Sequence, residues 1–335
     1  MPARPRIVIV TTSYPTGPDD PAGHFVRAEA EALVRGGADV TVLCPGRPLA
    51  AADTAPQVVR LGDHDLFGWP GAIPRLREDP RRVLGLGSFI ARARGWLKRA
   101  GPLDRVIAHW IVPCAWPIGV ATRHPLEVVA HGSDVRLLLR APTIARVVVV
   151  QLLRRGARFR FVSHRLRDEL CQIVGEPLVV ASRVELPSLE LPRVPTRSAA
   201  RDALAIPAEA RVTVVVARLI SGKRLATALN AATLVPGSRV VVLGDGSLRQ
   251  ALAARFDDVD FVGHQSRDRA LTWLAAADVL ITASRAEGAP TVVREARALG
   301  IPVVAAPAGD LADWSSADPE LYVIAAGPGA TDALD

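Results

Sequence analysis

The sequence predicts an α/β protein built from two doubly wound parallel-sheet domains, and three observations carry that reading. Short apolar runs rich in valine and isoleucine recur between segments of helical periodicity along the chain. The alternation is interrupted by ELPSLELPRVPTRS (185–198), whose Pro187, Pro192 and Pro195 mark an interdomain linker. With 335 residues, 49% hydrophobic and 22% charged, the chain is long enough to bury two cores. The expected boundaries are a first domain of residues 1–187, a linker of 188–195 and a second domain of 196–335.

In the first half, RIVIV (6–10) reads as the opening strand, and a polar loop ending at Gly23 leads into a helix over about 24–36. DVTVL (39–43), DRVIAHW (104–110) and LEVVAHG (126–132) read as further strands, followed by RFRFV and PLVVA. Residues 81–100 interleave Arg81, Arg82, Arg92, Arg94, Lys98 and Arg99 with Leu84, Leu86, Phe89, Ile90, Trp96 and Leu97. Such a helix either packs on its own domain with a solvated basic face or rests on an anionic membrane surface. After the linker the alternation restarts with RVTVVVA (211–217), a helix from about Lys223, RVVVLG (239–244) and DVDFVG (258–263). A short strand at 278–283, a tight EGAP loop, a helix over Thr291–Leu299 and a strand in GIPVVAA complete the pattern.

Composition narrows the function. Three cysteines, Cys44, Cys114 and Cys171, share no metal-ligand spacing and read as reduced thiols of a cytoplasmic protein. The amino terminus lacks the apolar length of a signal peptide, and no run approaches the ~18 apolar residues of a membrane span. The net charge of +7 comes almost entirely from arginine, since Lys98 and Lys223 are the sole lysines. Aromatic residues make up 4%, too few for base-stacking surfaces, so nucleic acid is excluded as a partner; peripheral contact with the inner face of a membrane is the stronger expectation.

The residues that carry chemistry sit at predicted strand ends. Glu287 precedes a helix and Glu295 lies about one turn inside it, so both border the crevice where parallel sheets bind anionic ligands. Carboxylates there suit sugar hydroxyls, which are donors. Arg218 ends one strand and Lys223 begins the next helix, an arrangement able to hold a diphosphate. Lysine at that position, in a chain that otherwise uses arginine, fits a demand for a compact ammonium. His131 precedes a glycine at a strand's carboxyl end and reads as functional; His109 occupies the parallel place in AHW. Asp258 and Asp260 form a D-x-D pattern, but they open a short strand, and no metal is expected. GLGSFI and GDGSLR lack the third glycine of a dinucleotide fingerprint, which argues against a dehydrogenase.

Taken together, R-x4-K (Arg218, Lys223), the glycine turn LGDGSLR, FVGH and the E-x7-E segment resemble family 4 retaining glycosyltransferases, in that order along the chain. SYPTGPDDPAGHF and AHGSDVR resemble the family's opening loop and its histidine motif. The resemblance implies the GT-B architecture of two facing Rossmann-like domains, the first for the acceptor and the second for the nucleotide-sugar donor. It implies transfer of a sugar from a nucleotide diphosphate sugar, UDP-linked, to an acceptor hydroxyl with retention of configuration and without a metal or other cofactor. The acceptor is a small molecule, a lipid-linked sugar or a glycan. On this resemblance Arg218 and Lys223 bind the diphosphate, Glu295 the ribose, and Glu287 with the amides of Gly288 and Ala289 the sugar. Gly263 borders the base, Thr291 opens the helix that faces the phosphates, Gly23 lets the opening loop approach the donor, His131 lies beside the transferred sugar, and His109 lines the acceptor side. Pro290 offers no amide, and Ala22 stands where many members have glycine. Family members continue into terminal helices beyond GPGATDALD, which this chain is expected to lack. A sugar-nucleotide epimerase of the same fold and an inactive binding or scaffolding relative are the alternatives.

Overall fold

The computed structural model describes residues 4–17, 20, 22–47, 55–62, 66–67 and 72–325. The chain divides into two compact units, Met1–Ser188 and Leu189–Asp335, each built on its own sheet. Residues 326–335, on which the expectation about terminal helices falls, lie outside the described residues.

The first unit runs β1 (Arg6–Val10), α1 (His24–Arg35), β2 (Asp39–Cys44), β3 (Gln57–Arg60), α2 (Ala72–Glu78), α3 (Val83–Arg99), β4 (Arg105–His109), β5 (Leu126–Ala130), α4 (Ser133–Leu139), α5 (Pro142–Arg154), β6 (Arg158–Phe161), α6 (His164–Val174), α7 (Glu176–Val180) and β7 (Ser182–Val184). Its seven strands are ordered β3-β2-β1-β4-β5-β6-β7, and every pairing is parallel. The order reverses at β1 and β4, so the loops leaving their carboxyl ends flank a switch point, the usual place for a ligand in such sheets. β5 is buried throughout because helices cover both faces, which is why the central strands read as unbroken apolar runs.

One expected strand does not form. PLVVA is helical, because Gly175 at φ +91° ends α6 and Pro177 falls in the first turn of α7, where its absent N–H is not needed. The β-branched run thus leaves Val179 and Val180 exposed, and the edge strand β7 begins just after it. α3 forms where the basic amphipathic segment predicts a helix. Phe89, Ala93 and Leu97, four residues apart, are its buried stripe.

The second unit runs α8 (Arg197–Ala203), β8 (Arg211–Val216), α9 (Leu225–Thr233), β9 (Ser238–Leu243), α10 (Arg249–Arg255), β10 (Val259–Gly263), α11 (Arg267–Ala276), β11 (Val279–Thr282), α12 (Thr291–Ala298), β12 (Val303–Ala305), α13 (Leu311–Ser315) and β13 (Leu321–Val323). Its strands are ordered β10-β9-β8-β11-β12-β13, again all parallel, with the reversal at β8 and β11. The two-residue period of β8 and β9 feeds two cores. Val212, Val214, Val241 and Leu243 pack with α8, α11 and α12, while Val215, Val240 and Val242 pack with α9 and α10 on the opposite face. The helix expected from Lys223 begins at Leu225. Arg224 adopts the left-handed conformation at φ +44° as its cap, which leaves Lys223 on the loop.

Candidate functional site

In the second unit, the loops after β8 and β11 are tied together. The Arg285 N–H donates to the Gly222 carbonyl at 3.0 Å, and Arg224 Nε donates to the Ala283 carbonyl at 2.8 Å. Across this join Lys223 Nζ donates to Glu287 Oε1 at 2.5 Å, both side chains about four-fifths shielded from solvent. Arg218 is half-buried, and burial lowers its pKa while the nearby Glu287 charge raises it. Three expected donor residues therefore form one charged cluster beside the β8–β11 switch point. The neighbouring loops close on it from below. A Cβ at Gly244 would lie 1.8 Å from the Ala217 carbonyl oxygen, and one at Gly246 would lie 2.4 Å from that of Leu219, so the glycine turn fits directly against the Arg218 loop. Gly309, at φ +57°, similarly underlies Glu287 and Gly288. Gly263, at φ +75°, accepts from the Gly244 N–H at 2.8 Å, which fixes the β10 end to the same turn.

Glu295 is held differently. It lies on the first turns of α12, buried, and its carboxylate takes Arg267 Nε at 3.2 Å and Nη2 at 3.1 Å. Burial raises its pKa, and Arg267 and Arg294 pull it back down. Arg267 also donates through Nη2 to the Glu190 carbonyl at 2.6 Å, so one guanidinium serves the helix and the segment leading into the unit. Sequence reasoning did not find Arg267, which stands at the start of α11, 28 positions from Glu295. Thr291 is the first residue of α12, and Pro290, which precedes it, offers no side-chain cap, so the helix opens with N–H groups just after the Glu287 loop. Gly288 is buried and Ala289 half-buried on that loop. Asp260 of the D-x-D pattern is ion-paired to Arg239 at 2.6 Å on the exposed edge strand β10.

The first unit gathers the histidines. His109 ends β4 and His131 follows β5, and His109 Nδ1 lies 2.9 Å from His131 Nε2 with the rings nearly coplanar. Burial, reinforced by Arg160, lowers the His109 pKa to about 3, and burial with His109 and Arg160 holds His131 well below its ordinary value. Both imidazoles are thus neutral near pH 7. One must donate to the other, and His109 Nε2 is left buried without a hydrogen bond, 3.7 Å from Glu29 Oε2. Asp134 fixes the loop. It is 3% exposed and accepts from the N–H groups of Ile111 at 2.8 Å, Gly132 at 2.9 Å and His131 at 3.2 Å. Phe25 of α1 and Trp110 complete the surroundings, with ring centroids 4.8 and 4.9 Å from that of His131. Trp110 holds φ +73°, a conformation costly for a large side chain. Gly23 starts α1 at φ +72°, where a Cβ would lie 2.2 Å from the Ser13 carbonyl oxygen, so its glycine is required by the chain's own backbone.

The chain is similar to known proteins. Residues 196–317 match the family described as Glycosyl transferases group 1. The protein named teichuronic acid biosynthesis glycosyltransferase TuaC, from Bacillus subtilis, is 26% identical over 91% of this chain and 81% of its own. D-inositol 3-phosphate glycosyltransferase from Mycobacterium bovis is 31% identical over 65% of this chain, which spans 45% of that relative's length. The fold is that of Anabaena Alr3699/HepE, solved in complex with UDP-glucose, at a TM-score of 0.69, 18% identity, and coverage of 97% of this chain and 86% of that one. The match to group 1 glycosyltransferases thus falls on the second unit, and the two parallel-sheet α/β units have GT-B structural neighbours.

Proposed function

We propose that the protein transfers a sugar from a UDP-linked donor to an acceptor hydroxyl, with retention of anomeric configuration. The observation that carries this reading is the Lys223–Glu287 pair beside Arg218, on loops locked to each other by backbone bonds. The Lys223 ammonium and the Glu287 carboxylate satisfy each other. A nucleotide diphosphate sugar supplies what each needs separately: phosphate oxygens for Lys223 and Arg218, and sugar hydroxyl donors for Glu287. The exchange leaves each group with hydrogen-bond partners, and the cations gain strength as charge develops on the departing diphosphate. The opening amides of α12 add the positive end of a helix dipole to the same task. Glu295, oriented by Arg267, accepts from the ribose hydroxyls.

In the first unit His131, neutral and in a hydrogen bond with His109, offers a polar contact that carries no charge. Retention fits a reaction on one face of the sugar, in which the leaving phosphate accepts the acceptor's proton, so the protein's residues bind and orient and none is assigned as nucleophile. UDP preference draws on the UDP-glucose bound by Alr3699/HepE. Calorimetric titration with UDP, GDP and ADP tests the reading. UDP binding that is at least tenfold tighter than the others, and weakened in a Lys223→Ala variant, is expected; equal affinity for all three, unaffected by that variant, would overturn it.

A further inference from the structure

The positive charge of this protein is concentrated in one stretch. Residues 81–155 carry thirteen arginines and lysines against three carboxylates, an excess of ten in a chain whose net charge is +7, so the remainder is net acidic. The three carboxylates are all engaged: Asp104 accepts from the Arg6 N–H at 2.7 Å, Glu127 lies among Arg105, Arg160 and Arg183, and Asp134 is buried on backbone N–H groups. α3 and α5 themselves carry no carboxylate, so the only charges on their outer sides are cations.

Two of its helices share a face of the sheet. α3 and α5 both pack against residues 111–121, and Trp116 Nε1 of that segment donates to Gln151 Oε1 of α5 at 2.8 Å. α5 buries Ala145, Val148, Val149 and Leu152, and turns the opposite side outward. There Ile144 is 58% and Val147 51% exposed, with Leu137 of α4 at 47%. Between them Arg140, Arg146 and Arg154 are exposed and, among the described residues, pair with no carboxylate. α3 repeats the arrangement: Phe89, Ala93 and Leu97 face in, while Leu84 at 76%, Val83 at 50%, Arg94 and Lys98 face out.

We propose that this face of the first unit, centred on α5, is a docking surface for an anionic phospholipid bilayer. The chemistry separates a bilayer from other polyanions. Unpaired arginines suit any phosphate, but branched aliphatic side chains set between them gain nothing from a nucleic acid backbone, whereas at a bilayer they enter the headgroup boundary as the arginines meet lipid phosphates. The inference is independent of the reading of the donor site, since none of these residues belongs to it.

Co-sedimentation of the full chain with vesicles tests it. Equimolar phosphatidylglycerol and phosphatidylcholine vesicles should retain the protein at least tenfold better than phosphatidylcholine alone, with retention falling as salt rises from low to physiological strength. The double variant Ile144→Ser/Val147→Ser should weaken that retention several-fold, and Arg140→Gln/Arg146→Gln/Arg154→Gln should abolish it, both with UDP affinity and melting temperature unchanged. Equal retention by the two vesicle types would overturn the proposal. So would full retention in the serine double variant, or binding of duplex DNA as strong as binding of the anionic vesicles.

Discussion

The two units arrange ionisable side chains in opposite ways. In the second, Lys223, Arg218 and Glu287 cluster and stay partly open to solvent, while Glu295 is buried against Arg267. In the first, His109 and His131 are held neutral by burial and Asp134 is sunk onto backbone N–H groups. Charges that are to be handed to a ligand must be retrievable, and a half-buried ion pair can exchange partners at small cost. Groups that shape a loop are committed, and removing them leaves unsatisfied donors in the interior. The first unit's constellation should therefore report on stability and the second's on binding.

Asp134→Ala is the strongest way to break this contrast. It strips three backbone N–H groups of their acceptor in a buried place and should cost about 3–5 kcal/mol of stability, read from denaturant unfolding. A loss below ~1 kcal/mol would show that Asp134 is not committed as described. Lys223→Ala should leave unfolding nearly unchanged, and it and Glu295→Ala should each weaken nucleotide binding by roughly 1.5–3 kcal/mol, about ten- to a hundredfold in Kd. Unchanged affinity in both by calorimetry would remove the donor-site assignment.

The histidines make the contrast pH-dependent. His109 titrates near 3 in the folded protein against an ordinary value of 6.5, so the unfolded chain binds the extra proton between those values. Its contribution is fully present above pH 6.5 and is lost as the pH falls, at about 1.4 kcal/mol per unit. His109→Gln should flatten that slope in urea midpoints measured from pH 7 to 4.5; an unaltered slope would assign it to other groups. The smallest effect expected is none: with a competent acceptor, turnover should survive excess EDTA, because Arg218, Lys223 and the α12 amides supply the positive charge. Activity lost to EDTA and restored by magnesium would bring Asp258 and Asp260 back as ligands.

Much of this was legible in the sequence. The strands read as valine-rich runs because both sheets are buried on both faces, and Arg218, Lys223, Glu287 and Glu295 stood out because they lie at predicted strand ends and helix starts, in the motif order that resembles family 4 glycosyltransferases. PLVVA misled because β-branched residues outweighed the signal of Gly175 and Pro177, which is local and needs only two residues. The short edge strand β3, QVVR, was too brief to stand out. The pairing of Lys223 with Glu287, 64 positions apart, and of Arg267 with Glu295 depended on tertiary placement, for which no periodicity exists. Gly23 is expected to let the opening loop approach a donor, and its missing side chain also makes room for Ser13, which the sequence did not show.

Arg267 divides its donors between the Glu295 carboxylate and the Glu190 carbonyl. A ligand whose hydroxyls donate to Glu295 competes with the same guanidinium that fastens the entry segment, and tension on that segment, pulling on Arg267, acts on Glu295 in return. Affinity at the ribose end and the tautness of residues 189–196 are then two readings of one shared hydrogen-bond donor, coupled equally in both directions.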